Sequence, residues 1–573
     1  MSSSSGLRPS MAWVHTWFGL VLGHVLMACF FFGTLSVFDR EIDRWALPDT
    51  RFAPQPLPSF DQVLLPALRR LEPDPAEYTQ LMPGMHDPAQ GPPTPREALP
   101  PDEYWVYATH RDPVIAVGAG FRVPHARDEH AHNHIHGNAT VDPRTGALAR
   151  ADALRIGSQW FYPMHYSLNW HWHNAGIYLV GLAGLVMLVA LVSGVILHRR
   201  LLREFFTLRL RTPGQRRTLD LHNLTGVLAL PFHFFFAFTG LLIFAGFYYF
   251  PVSSFQLQAL HDQHEQHEAR VTGLPHARAG IPAPLASVDA MVAEARRRWA
   301  ARDMAGEAGF IQLHHVGDLN GYVSIYRAGS DRVALVGEGI HFQASTGAVL
   351  HEEPPRSAVA EVSQFLTGLH LQHFEHWTLR WLYVLGGLMG TVCIATGFVF
   401  FVEKRRRPDA RATRQGSRLA DAAAVTTVTG MVLATVGMLV ANRLLPLELP
   451  AGLPDKGQAE KLVFWGCWAL AGLHAAWRSA PVARAQANPA WREQCAAIAL
   501  LGVAAVGLNA VTTGDHLLRT LVTAPYWPVA GVDLALLATA AVAGSAAWRL
   551  WRPASRPASA AAGPAKAVEV SHV

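Results

Sequence analysis

The sequence predicts a polytopic all-α membrane protein with two α+β domains inserted on one side of the bilayer, and three observations predict it. Half of the 573 residues are hydrophobic and only 16% are charged, giving a mean hydropathy of +0.15, which is high for a soluble chain of this size. Eight stretches approach the roughly 20 apolar residues that a bilayer requires, and 17 Trp and 28 Phe suit helices that fill lipid and anchor at its interfaces. Two polar regions between those stretches are each long enough for a small domain. The lipid bilayer is therefore the first partner, and the net charge of +5 calls for no nucleic acid. Cys29, Cys393, Cys467 and Cys495 all lie inside apolar stretches and none pair as CxxC. Cysteine-ligated iron–sulfur or zinc sites and disulfide staples in the polar regions are thereby excluded.

The apolar spans run 11–38, 175–197, 224–250, 379–401, 422–444, 462–477, 496–513 and 529–548. The first follows a short Ser-rich leader, lacks a small-residue cleavage site and continues into the charged run Asp39-Arg40-Glu41-Ile42-Asp43-Arg44, so it reads as a retained helix over 1–38. A polar domain over 39–170 follows, opening on the linker prolines Pro48, Pro54, Pro56 and Pro58. Residues 171–250 hold the second and third spans around a basic loop at 199–221, and a second polar domain fills 251–370. The fourth span lies in 371–405, a four-helix extension in 406–553, and a disordered tail in 554–573. Arginines concentrate after spans two, four, six and eight, which places those loops and both termini in the cytoplasm and the two polar domains outside.

The first 405 residues look duplicated. His15 precedes Gly19 by four and Gly33 by eighteen, and His222 precedes Gly226 and Gly240 by the same offsets. Ser193-Gly194 and Thr396-Gly397 align spans two and four, setting Gly184 against Gly387. Each polar domain also contains a strand, Thr-Gly turn, strand phrase, at 141–148 and 342–349. Both copies start inside, so the repeat is parallel, with its axis along the membrane normal.

Ionisable residues in transmembrane helices mark function. His15, His198 and His222 share the cytoplasmic level, while His165 and His370 precede spans two and four at the outer level, 29 and 27 residues before the aligned glycines. In straight helices His233 lies roughly 16 Å beyond His222, and His24 about 13 Å beyond His15. Neutral imidazoles facing one another between helices of a four-helix bundle suit a b-type haem held at both axial positions, and two levels suit two haems. Any one of these histidines also suits an interfacial anchor; the set favours haem. Gly19, Gly33, Gly194, Gly226, Gly240 and Gly397 leave room for a porphyrin, or equally for close helix packing. His171, His173, His373 and His376 stand beside the outer level as alternative ligands.

Two clusters lie outside the spans. His125, His130, His132, His134 and His136 interleave with acidic residues, and His261, His264 and His267 are spaced by three. Both suit a divalent metal such as zinc or copper, or ferric iron, and both suit plain solvated segments. The sequence holds no Walker A loop, GxGxxG junction, nucleophile elbow or HExxH. Electrons must therefore arrive from elsewhere.

The strings WVHTWFGLVLG, SGVILHRR, LDLHNLTGVLALPFH, VDPRTGAL and LHLQHFEHWTLRWLYVLGGLMGTVCIATGFVFF resemble the PepSY-associated transmembrane helix family of bacterial inner-membrane proteins, which includes ferric-siderophore reductases. The resemblance covers about residues 11–405 and implies PepSY-like periplasmic domains on a four-helix core, haem b, and reduction of a ferric siderophore or other iron chelate. It carries haem ligation to His15, His165, His198, His222, His233 and His370. The chain departs from it at Phe401, the repeat counterpart of His198, and in the extra histidines. A cytoplasmic flavoprotein or quinol is the expected electron donor. Two other readings stand beside this one: a non-redox metal-binding or sensory module, and a secondary transporter, which would need broken helices and a midplane site.

Overall fold

A computed structural model describes residues 6–124, 133–149, 153–197, 214–245, 271–335, 337–411, 416–450, 452–479 and 487–552. His125, His130, His132, His198, His261, His264 and His267 lie outside the described residues, as do most of the basic loop and the C-terminal tail. The protein is mostly helical, with an antiparallel sheet. Among the described residues five helices are long and apolar enough to cross a membrane, and seven if each of two bent pairs makes one span. The eight spans expected from sequence are thus not all matched. The helix Lys456–Arg478, where the sixth was expected, carries Lys456, Glu460 and Lys461 in its first turns and falls short on apolarity.

The chain divides into two compact units. The first comprises 1–404, 445–460 and 520–532. It begins with helices α1 (Leu7–Val21) and α2 (Gly23–Ser36), bent by 62° at Leu22. Helices α6 (Gly214–Leu228) and α7 (Leu230–Ile243) repeat the arrangement with a bend of 63° at Ala229. Each break lies seven residues past its histidine, His15 or His222. The causes are local: Gly23 is a poor helix former, and Pro231 lacks the N–H that would bridge the break. The depths expected for His24 and His233 in straight helices are corrected accordingly. Between these pairs run α3 (Asp39–Ala46), α4 (Tyr162–Ser167) and α5 (Ala175–Leu197). After them come α8 (Val288–Ala300), α9 (Ala358–Leu371) and α10 (Trp377–Arg411).

The two polar regions, expected as separate domains, form one seven-stranded sheet in the order β3-β2-β1-β4-β5-β6-β7. The first region supplies β1 (Pro101–Tyr107), β2 (Ile115–Arg122) and β3 (His134–Val141). The second supplies β4 (Ala308–His314), β5 (Tyr322–Arg327), β6 (Gly339–Gln343) and β7 (Val349–Glu352). Strands β1 and β4 pair directly, so each half covers an edge the other would leave open. One core serves both halves, with Val106, Ile311 and Ile325 of the sheet packed with Phe60, Leu64, Met291 and Trp299 of the helices. The halves also cap each other's helices. Ser59 and Phe60 N–H donate to Asp289, while Ser287 and Val288 N–H donate to Asp61. The two Thr-Gly turns match as well, with Gly146 at φ +70° and Gly347 at φ +73°, a left-handed conformation that glycine adopts at little cost.

The second unit comprises 405–444, 461–519 and 533–573. Its helices Met431–Leu444 and Ala490–Thr513 pack closely, and a polar chain runs between them. Thr429 donates to Gln494 Oε1 at 2.6 Å, and His474 and Arg478 hydrogen-bond Glu493.

Candidate functional site

Four of the six histidines selected from sequence come together as two pairs. The ring centroids of His165 and His370 are 6.1 Å apart, and those of His15 and His222 are 6.3 Å apart. Each ring sits in a notch made by a glycine. A Cβ on Gly33 would lie 2.7 Å from His165 Nδ1, and Cβ atoms on Gly194, Gly240 and Gly397 would lie 3.3–3.4 Å from His15, His370 and His222. The sequence assigned these glycines to porphyrin clearance or helix packing; in the structure they let an imidazole approach a helix backbone. Gly19 and Gly226 play no such part, since Gly19 faces open space and Gly226 faces Cys393 Sγ.

The notch places Nδ1 against the carbonyl four residues before the glycine. His165 Nδ1 lies 2.8 Å from Cys29 O, His222 Nδ1 2.7 Å from Cys393 O, and His15 Nδ1 3.1 Å from Ala190 O. A carbonyl only accepts, so Nδ1 carries the proton in all three. His370 uses a side chain instead: its Nδ1 is 2.7 Å from Thr239 Oγ1, whose own proton goes to Phe235 O at 2.6 Å. Thr239 must therefore accept from His370. In their neutral forms all four rings bear the lone pair on Nε2, the state a metal ligand needs.

His165 and His370 precede the spans, on α4 and α9. Burial lowers both from the ordinary histidine value, His370 to about 3 with His165 contributing. They line a cavity of 1120 Å³ that also touches Gly33, Gly240 and Gly387. Its other wall is the sheet, through Tyr107, Phe310 and Tyr326. A buried ion network holds this junction together. Glu41 of α3 pairs with Arg111 at 3.1 Å and with Arg380 of α10 at 3.0 Å, and Arg155 just before α4 pairs with Asp43 at 3.3 Å and with Asp112. Burial raises the Glu41 carboxyl, but Arg111 and Arg380 more than offset that and hold it low. Nothing in the sequence pointed to this network, because its paired members are 43 to 339 residues apart.

The other predicted ligands lie elsewhere. His233, 1% exposed, packs against Phe30 with its Nε2 buried and without a hydrogen-bond partner. His24 stacks on Phe398 at 4.5 Å. His171, His173, His373 and His376 are exposed, and His373 also lines the cavity. Of the metal-cluster histidines, His134 and His136 are described. His134 Nε2 is 3.0 Å from Asp102, and His136 Nδ1 is 2.7 Å from Glu77. Burial raises Asp102, but His134, His315 and Arg278 outweigh it and hold the carboxyl well below its usual range. Among the described residues no group of three His, Cys, Asp or Glu is placed to hold a metal ion.

An uncharacterized protein of Pseudomonas aeruginosa is 30% identical over 408 residues, covering 67% of this chain and 93% of its own length. The sequence profile of the PepSY-associated TM region matches residues 12–404, the stretch that contains both histidine pairs and the sheet. This chain belongs to the PepSY-associated transmembrane family.

Proposed function

We propose that the protein is a haem-bearing electron-transfer protein of the bacterial inner membrane that reduces a ferric chelate on the outer side. The observation that carries this reading is the common state of the four paired histidines, each with Nδ1 committed to an acceptor and Nε2 left as the lone-pair nitrogen. His165 with His370, and His15 with His222, would each hold one haem b. A haem in such a site supplies reversible one-electron transfer. The glycine notches set ring position, the carbonyls and Thr239 set the tautomer, and the ion network fixes α4 and α10 around the outer pair. The cavity brings a chelate beside His165 and His370. One electron to its ferric ion gives ferrous iron, which hard oxygen donors hold more weakly, so the metal leaves the chelator. The electron comes from a cytoplasmic flavoprotein or from quinol. The matched bends, notches and turns also lead us to infer that the unit over 11–405 arose by a parallel duplication, with the ends of that unit on the same side and the arginines after spans two and four marking it as the cytoplasm.

Purified protein in detergent should show a b-type reduced spectrum, with about two haems per chain by pyridine haemochrome. Its dithionite-reduced form should be reoxidised by a ferric chelate. A colourless protein expressed with haem available would falsify this reading.

One observation favours a second reading, a transporter. The helix breaks at Leu22 and Ala229 resemble the discontinuous helices of transporters, and His233 adds a buried nitrogen four residues past the second. A substrate flux in proteoliposomes that survives loss of all four paired histidines would establish it.

A further inference from the structure

We propose that the cavity selects a small ferric chelate bearing an aromatic ring and little net charge, held against a three-ring ladder on the sheet. The inference rests on the proposed reduction for the ligand being a chelate; the ring preference comes from the sheet. Tyr107, Phe310 and Tyr326 are directly opposite one another across β1, β4 and β5. Their centroids are 6.4 and 5.9 Å apart, and all three line the cavity. Alternation along the strands explains their direction: Val106, Ile311 and Ile325 enter the core on one face, which sends the neighbouring aromatic residues to the other. Aromatic cross-strand pairs stabilise a sheet without help, but these rings are only half-buried and face an open volume. Large rings left half-covered in a concave site are what an aromatic ligand stacks on.

Charge argues for the ligand's low net charge. The five arginines that line the cavity already have partners: Arg40 pairs with Asp39 and Asp112, Arg111 with Asp39 and Glu41, Arg155 with Asp43 and Asp112, Arg327 with Asp331, and Arg332 with the same Asp331 at 4.0 Å. A highly charged complex would find no uncompensated counter-charge among them and would lose hydration. Size permits the arrangement. At 1120 Å³ the cavity exceeds the about 300–1,000 Å³ of ordinary ligand pockets. It has room for a group at its histidine floor and a second against the ladder.

The test uses the full-length protein in detergent and two gallium(III) complexes, tris(benzohydroxamate) and tris(acetohydroxamate). Both are neutral, share one donor set, and differ by the phenyl ring. Gallium is not reduced, so binding is read separately from electron transfer. Titration calorimetry against empty micelles should give about tenfold tighter binding of the phenyl complex. Phe310→Leu should abolish that preference and Phe310→Trp should keep it, which separates ring recognition from a folding defect. Equal affinities, no binding of either complex, or an unchanged preference in Phe310→Leu would overturn the proposal. A colourless protein that keeps the preference removes the reduction and leaves the site. A two-haem protein without the preference does the reverse.

Discussion

The paired histidines of the helical bundle and the histidines of the sheet are the same residue put to opposite uses. In the bundle, Nδ1 meets a backbone carbonyl or Thr239, acceptors that carry no charge, and the ring is left as a neutral donor. On β3, His134 Nε2 and His136 Nδ1 meet the carboxylates of Asp102 and Glu77, acceptors that carry a charge. The first arrangement sets two rings against each other on uncharged acceptors; the second ties single rings to the carboxylates beside the sheet. The sequence favoured haem for the bundle histidines and left the outer clusters between a metal and a solvated segment; the pairing of rings is what the structure adds.

The comparison breaks most directly at the rings. His165→Ala with His370→Ala should remove about half of the haem counted by pyridine haemochrome, whereas His134→Ala with His136→Ala should leave it unchanged. If both doubles lose haem alike, the distinction between the two groups fails. The glycine notch comes next. Gly33→Ala puts a methyl 2.7 Å from His165 Nδ1, and haem retention through purification should fall by at least tenfold; Gly19→Ala, facing open space, should retain haem as the parent does.

A smaller effect is expected at Thr239, which touches His370 and not the ligand. Thr239→Val keeps shape but deletes the acceptor of His370 Nδ1–H, which should weaken haem retention about tenfold and shift the reduction potential of one haem only. Acid should sharpen the contrast further. Burial lowers His165 and His370, so the neutral rings contribute stability above about pH 6.5, and that contribution is lost as pH falls toward about 3. Asp102 is a carboxyl held low, so its contribution persists until pH drops below about 3.9. Thermal melts of the haem-free protein between pH 6.5 and 4.5 should therefore flatten in His370→Gln and keep the parent's slope in Asp102→Asn. The smallest change concerns the sheet alone. Ser287→Ala should cost about 1 kcal/mol in sheet stability, read by melting, with haem content untouched.

Much of this molecule was legible in one dimension. Apolar runs announce spans because lipid tolerates no unpaired backbone, and the equal offsets from His15 and His222 pick out Gly33 and Gly240, which face His165 and His370. His165 and His370 were selected together by their distance to Gly194 and Gly397, and they do meet. The bends were legible only in part: Pro231 marks the second, but little marks the first beyond Gly23. The joining of two polar regions into one sheet had no local signal, because strand pairing between β1 and β4 depends on backbone edges about 200 residues apart. The sequence by itself determined which residues can ligate, span and turn, since those capacities belong to the side chain and its near neighbours. Only the tertiary structure decided which nitrogen of each histidine is committed, which glycine serves a ring, and which aromatic residues share a wall. Those depend on atoms brought together from distant parts of the chain by packing, and packing has no linear code.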